Sequence, residues 1–99
     1  MIIRIVKMTF RPDEVTAFQQ LFTAKKQLIR GFEGCHHLEL WQDAREPAIF
    51  FTYSHWESEE YLDKYRFSAL FKEVWTDTKA LFAAKAEAWS VNQQTVVTL

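Results

Sequence analysis

The chain has 99 residues, with 12 Lys and Arg against 13 Asp and Glu and a net charge of −1, which leaves room for one domain over residues 1–99 and no second core. No basic patch supplies the electrostatic footprint that nucleic-acid binding needs, so no nucleic-acid partner is expected. The single cysteine, Cys35, excludes an intrachain disulfide and a cysteine metal cluster and fits a reducing cytoplasm, while Arg4 and Lys7 interrupt "MIIRIVKMTF" and argue against a signal peptide or membrane span.

In chain order, residues 2–10 alternate and are rich in Ile and Val, which predicts a strand. "RPDE" opens a helix, with Pro12 suited to the first helical position and the acids complementing its positive end. Val15, Phe18, Leu21, Phe22, Leu28 and Ile29 follow helical spacing as far as Gly31. "GFEG" is a turn that releases the chain into a second strand, "CHHLELWQD". A hairpin through "AREP" leads to a third, "AIFFTYSHW". Ser58 can cap the next helix. A break near Tyr65–Arg66 divides it from a longer helix patterned on Phe67, Leu70, Phe71, Val74, Trp75, Thr78, Leu81 and Phe82. "AEAWSVNQQTVV" reads as a final strand.

The order β-α-β-β-α-β predicts an α+β, ferredoxin-like domain with both helices on one face of a four-stranded antiparallel sheet. Closing the hairpin symmetrically about "AREP" puts Trp41 opposite Phe50 on one face. Leu40 then meets Phe51 and Leu38 meets Tyr53 on the other, and His36 falls opposite His55. Both faces carry large apolar groups, and two helices cover only one of them. Aromatics make up 16% of the chain, nine of them Phe, more than a lone small domain easily hides. A homodimer through sheet-to-sheet packing follows as the expected partner arrangement.

Candidate chemistry is sparse. His36, His37 and His55 lack a third ligand at metal spacing, and no metal is expected. Two glycines in the whole chain cannot form a phosphate loop. Cys35 reads as a packed thiol, and Glu39, if it shares a face with His37 and Trp41, as a polar group for pairing across a dimer. Phe67, Phe71 and Trp75 form a helical stripe of the kind that is ordinarily core. Tyr61 and Tyr65 share a face of the shorter helix.

"HWESEEYL", the broken helix, "SALFKEVW", the "GFEG" turn and the "RPDE" helix start together resemble the antibiotic biosynthesis monooxygenase (ABM) family, from Ile2 to about Val97. The resemblance implies a dimeric α/β barrel and includes oxygenases that need no cofactor and act on aromatic phenols or quinols. It also includes haem-degrading enzymes, but Trp75 stands where that branch has its proximal His and Val6 near its Asn. Indole offers iron no lone pair, so haem degradation is not expected. Trp56 matches the family's recurrent Trp, and Tyr65 replaces a His found in many small relatives.

The implied chemistry is monooxygenation without metal or flavin in a cavity between sheet and second helix. There His55 and Tyr65 would be catalytic, His55 as base, with Tyr53, Trp56, Tyr61 and Trp75 binding the substrate. The alternative is a non-catalytic dimeric barrel that holds a small apolar ligand.

Overall fold

A computed structural model describes all residues, Met1–Leu99. It contains β1 (Ile2–Phe10), α1 (Val15–Arg30), β2 (Cys35–Gln42), β3 (Ile49–Trp56), α2 (Glu59–Arg66), α3 (Ala69–Lys79) and β4 (Phe82–Val91). The four strands form one antiparallel sheet in the order β2-β3-β1-β4, the ferredoxin-like arrangement expected from the element order.

Local chemistry explains the element ends. Pro12–Glu14 form a single 3-10 turn before α1, a conformation that suits the fixed proline φ. The amide of Gly31, at the end of α1, donates to the carbonyl of Gln27. Gly34 has φ +86° and lies against Tyr61, so this turn needs glycine for both backbone and space. Ser58 occupies the N-cap of α2 without a side-chain hydrogen bond, whereas Ser68 caps α3 by accepting from the Phe71 amide.

The core is a run of rings beneath the helices. Phe10 stacks on Phe18 with centroids 4.1 Å apart, and both contact Phe50. A second group joins Cys35, Trp56 and Leu62, with Phe32, Tyr61 and Tyr65 packed against it. Only 10 of 99 residues are buried, because the helices cover only one face of the sheet.

Three expectations are corrected. The hairpin does not close symmetrically: Trp41 pairs with Phe51, and Leu40 and Leu38 pair with Thr52 and Ser54. The Asp43 carboxylate accepts from the amides of Arg45 and Glu46, and the Asp43 amide donates to the Ile49 carbonyl. Ala48 therefore belongs to the turn, and the register moves by one residue. The same shift puts His37, not His36, opposite His55, and an irregularity at His36 then brings Cys35 opposite Trp56.

The second correction concerns the last helix, which ends at Lys79. Phe82 begins β4 and packs on Phe10 and Trp75. Pairing with β1 draws the alanine-rich stretch 83–88 into the sheet against its helical propensity, and β4 stops at Val91 rather than running on to Val97. Third, Phe67 is 80% exposed and is not core, because it falls between α2 and α3 rather than inside a continuous helix.

Candidate active site

Between the helices and the inner face of the sheet lies a cavity of about 330 Å³, at the lower end of small-molecule sites. Hydrophobic residues make up 15 of the 20 that line it. The register sets its floor in rows: Leu38, Ser54 and Arg4 in one, and Thr52, Val6 and Ala88 in the next. The helices supply its wall through a chain of rings. Tyr65 stacks on Trp56 at 4.9 Å, meets Phe71 edge-on at 5.2 Å, and Phe71 stacks on Trp75 at 5.7 Å.

Trp56 is fully buried, and its indole N–H donates to the Ser54 hydroxyl at 3.0 Å. Indole and hydroxyl thus satisfy one another in an apolar setting. Burial holds the Tyr65 phenol well above its ordinary pKa, so it stays protonated throughout the physiological range. At the sheet, Arg4 is half-buried. Burial, and secondarily the nearby Arg66, lower the pKa of its guanidinium. Arg66, which also lines the cavity, lies 3.7 Å from Asp63.

The sequence profile of the antibiotic biosynthesis monooxygenase family matches residues 1–77. The chain belongs to the antibiotic biosynthesis monooxygenase family. A crystal structure of an antibiotic biosynthesis monooxygenase superposes with a TM-score of 0.89 at 16% identity, over 96% of this chain and all of that one. A conserved protein from Methanosarcina mazei Go1 gives 0.88 at 24% identity, over 95% of this chain and 94% of its own. Rv0793 from Mycobacterium tuberculosis gives 0.86 at 18% identity over 98% of each. At these identities the likeness speaks for the fold. No curated protein matches the sequence.

Within this ABM domain the six residues singled out from sequence do not converge. Trp56, Tyr65 and Trp75 line the cavity. Tyr61 does not; its ring covers Gly34 and lies under the Lys64 ammonium at 5.0 Å. Tyr53 and His55 are on the opposite face of the sheet, so the expected cavity containing them is corrected. Strand parity dictates this, since Ser54 and Trp56 point inward and their neighbours must point out.

On that outer face Tyr53 stacks on Trp41 at 4.6 Å and its hydroxyl is 2.7 Å from His55 Nε2. Glu39 accepts from the Trp41 indole at 2.9 Å and is hydrogen-bonded to His37 Nε2. Those contacts, the Trp41 bond first, hold its carboxyl below the ordinary range. His36 turns instead to Glu57, at 3.3 Å. No three His, Cys, Asp or Glu side chains are arranged as a metal site.

Arg4 is the residue that sequence reading passed over as a mere interruption of an apolar strand. Its signal was parity: it shares the inward side of β1 with Val6, Met8 and Phe10, all apolar. No helix is long and apolar enough to cross a membrane.

Proposed function

We propose that this ABM protein is a monooxygenase that oxidises a small aromatic phenol or quinol in the inner cavity, without metal or flavin. The aromatic-walled cavity carries the reading, because it is large enough for a two- or three-ring substrate and removes it from water. Trp56, Phe71 and Trp75 present ring faces and edges to a flat substrate, and Tyr65, kept neutral, can donate to a substrate oxygen. In the reaction a ring carbon takes one atom of dioxygen and the substrate, its hydroxyl included, gives up two hydrogens. These leave with the other oxygen atom as water, and the substrate's own electrons reduce both atoms.

Oxygen uptake with naphthoquinols and anthrones, with no metal or flavin added, tests the proposal. Turnover above buffer that falls at least tenfold in Tyr65→Phe or Trp75→Ala supports it. His55→Ala should leave the rate unchanged, since His55 lies across the sheet. Rates equal to buffer for the whole panel would end it.

One observation favours the ligand-binding alternative: the titratable side chains lining the cavity are Arg4, Tyr65 and Arg66, none of them an ordinary base near neutrality. Tight binding of the same compounds without turnover would decide for a non-catalytic carrier.

The reading includes a homodimer through the outer face and a reducing cytoplasm suited to a lone thiol. Trp41 and Trp89 are exposed there, in register with Ile5, Phe51 and Tyr53 across the sheet. Sedimentation should give a dimer at micromolar concentration and a monomer for Trp41→Glu. A monomeric wild type would remove the interface.

A further inference from the structure

The cavity is apolar on almost every side except where the sheet presents Arg4. This side chain comes from the central region of the sheet, in the row Leu38–Ser54–Arg4–Ser90. A guanidinium has five N–H donors and cannot be neutralised by losing its proton in a protein. Here it makes one side-chain hydrogen bond, from Nη1 to the Ser90 hydroxyl at 3.0 Å, and no carboxylate lies within 4 Å of it. A half-buried charge left without a counter-ion is costly, and a second cation adds to the cost.

Arg66 supplies that second cation, from the last turn of α2. The acids that oppose them are Asp63 and Glu59 on the same helix. Asp63 is already engaged by Arg66, and neither acid lines the cavity. Arg4 therefore brings unspent donors to a cavity lined mostly by hydrophobic side chains.

We infer that the cavity takes its ligand as an anion, with a flat apolar body between the Trp56–Tyr65–Trp75 wall and the sheet and one oxyanion, an aryl carboxylate or a phenolate, held by Arg4 with Arg66 beside it. The inference rests on the cavity reading proposed above and adds the charge of the ligand and the residues that select it. A planar fork matches a carboxylate with two parallel N–H bonds, which an ammonium cannot reproduce, and can converge two donors on the single oxygen of a phenolate. For a phenol or quinol, this pairing draws the ionised form into the cavity and lowers the pKa of the bound hydroxyl. The cavity then needs no histidine to make the electron-rich species.

Paired probes test the inference by calorimetry or quenching of tryptophan fluorescence. 1-Naphthoate and 1-naphthamide share a shape and differ in charge. 4-Nitrophenol and 4-nitroanisole do the same for the phenolate, with a colour change that reports ionisation. Wild type should prefer naphthoate over the amide by on the order of ten- to a hundredfold, the range for hydrogen bonds to a charged group. Arg4→Gln should lose that preference while binding the amide as wild type does, which also shows that the variant is folded.

Arg4→Lys should keep part of the preference, and Arg66→Gln, at an exposed position, should weaken it by a smaller factor. Nitrophenol bound to wild type should ionise at a lower pH than in buffer, an effect absent in Arg4→Gln. A depressed nitrophenol pKa without a naphthoate preference would assign the site to phenolates alone, and the reverse to carboxylates. Equal affinity of wild type for both members of each pair would overturn the inference and leave the cavity as a neutral aromatic site. Binding of none of the four would remove both the inference and the cavity reading. Selective anion binding with no oxygen uptake would remove only the oxygenase.

Discussion

Replacing Gly34 by alanine should cost this domain a large share of its stability. The residue sits at φ +86° in the turn between α1 and β2, where an L side chain is strained by about 1–2 kcal/mol. The new Cβ would also fall 2.4 Å from Tyr61 Cβ and 2.5 Å from Cγ. Those atoms are the root of a side chain on α2 and cannot swing clear, so an overpacking cost of about 1–3 kcal/mol adds to the strain. Reduced freedom of the unfolded chain returns only about 0.4–1 kcal/mol.

The net loss is about 1–4.5 kcal/mol, and at about 4–8 °C per kcal/mol for a domain of this size the melting temperature should fall by at least about 4 °C. Circular dichroism melts at fixed protein concentration measure it. Gly31→Ala is the control: its Cβ would meet the Gln27 carbonyl oxygen at 3.1 Å, and its backbone is right-handed at φ −82°. In the double variant Gly34→Ala/Tyr61→Gly all the clashing side-chain atoms are gone, and the two losses should be less than additive. A Gly34→Ala melt within about 3 °C of wild type would show that α2 is not seated on this turn, and with it that Tyr61 is free to serve elsewhere.

Three further outcomes are expected. Because burial raises the Tyr65 pKa, the native protein binds one more proton than the unfolded chain above the ordinary phenol value of about 10. Stability is full below that pH and declines above it, and Tyr65→Phe should flatten the decline in alkaline melts; an identical decline in both would contradict the burial of that hydroxyl. Glu39 is shifted the other way, so its contribution is present above about pH 4.3 and is lost as pH falls through its lowered native value. Glu39→Gln should accordingly show a shallower acid loss of melting temperature than wild type, and parallel acid profiles would show that the Trp41 and His37 contacts do not persist in solution. Ser68→Ala removes the cap of α3 and should cost about 1 kcal/mol in urea unfolding at unchanged slope, with no measurable change counting against the hydrogen bonds seen at the α2–α3 break.

Much of the architecture could be read directly from residue patterns. β1 is recovered at both ends because Ile2–Phe10 alternates and is bounded by "RPDE", and α1 because its periodic pattern runs into Gly31. The break between α2 and α3 was visible where the periodicity shifts phase near Arg66. What patterns could not supply was parity between strands. The extra residue in the Asp43 turn leaves every composition and period untouched, yet it moves Trp41 from one face to the other. The start of β4 was hidden for a different reason. Thr78, Leu81 and Phe82 are spaced as in a helix, and only pairing of Phe82 with Phe10 reveals the change of element.

The same parity decides which chemistry the molecule can offer. His37, Glu39, Trp41, Tyr53 and His55 form a hydrogen-bonded and stacked set rich in polar function, but the sheet itself separates them from the cavity. Inside, Ser54 and Trp56 satisfy each other, Tyr65 stays neutral, and Arg4 keeps a charge with little to oppose it. A single strand, β3, thus divides the chain's functional groups between two surfaces by alternation alone. If the outer set is covered by a second copy, the polar residues there serve to fix the pairing of two sheets, since a purely apolar face would slide. The inner surface is left with shape, aromatic faces and one cation. Under the proposed function, those are the means to select and hold an aromatic anion whose own electrons would reduce dioxygen.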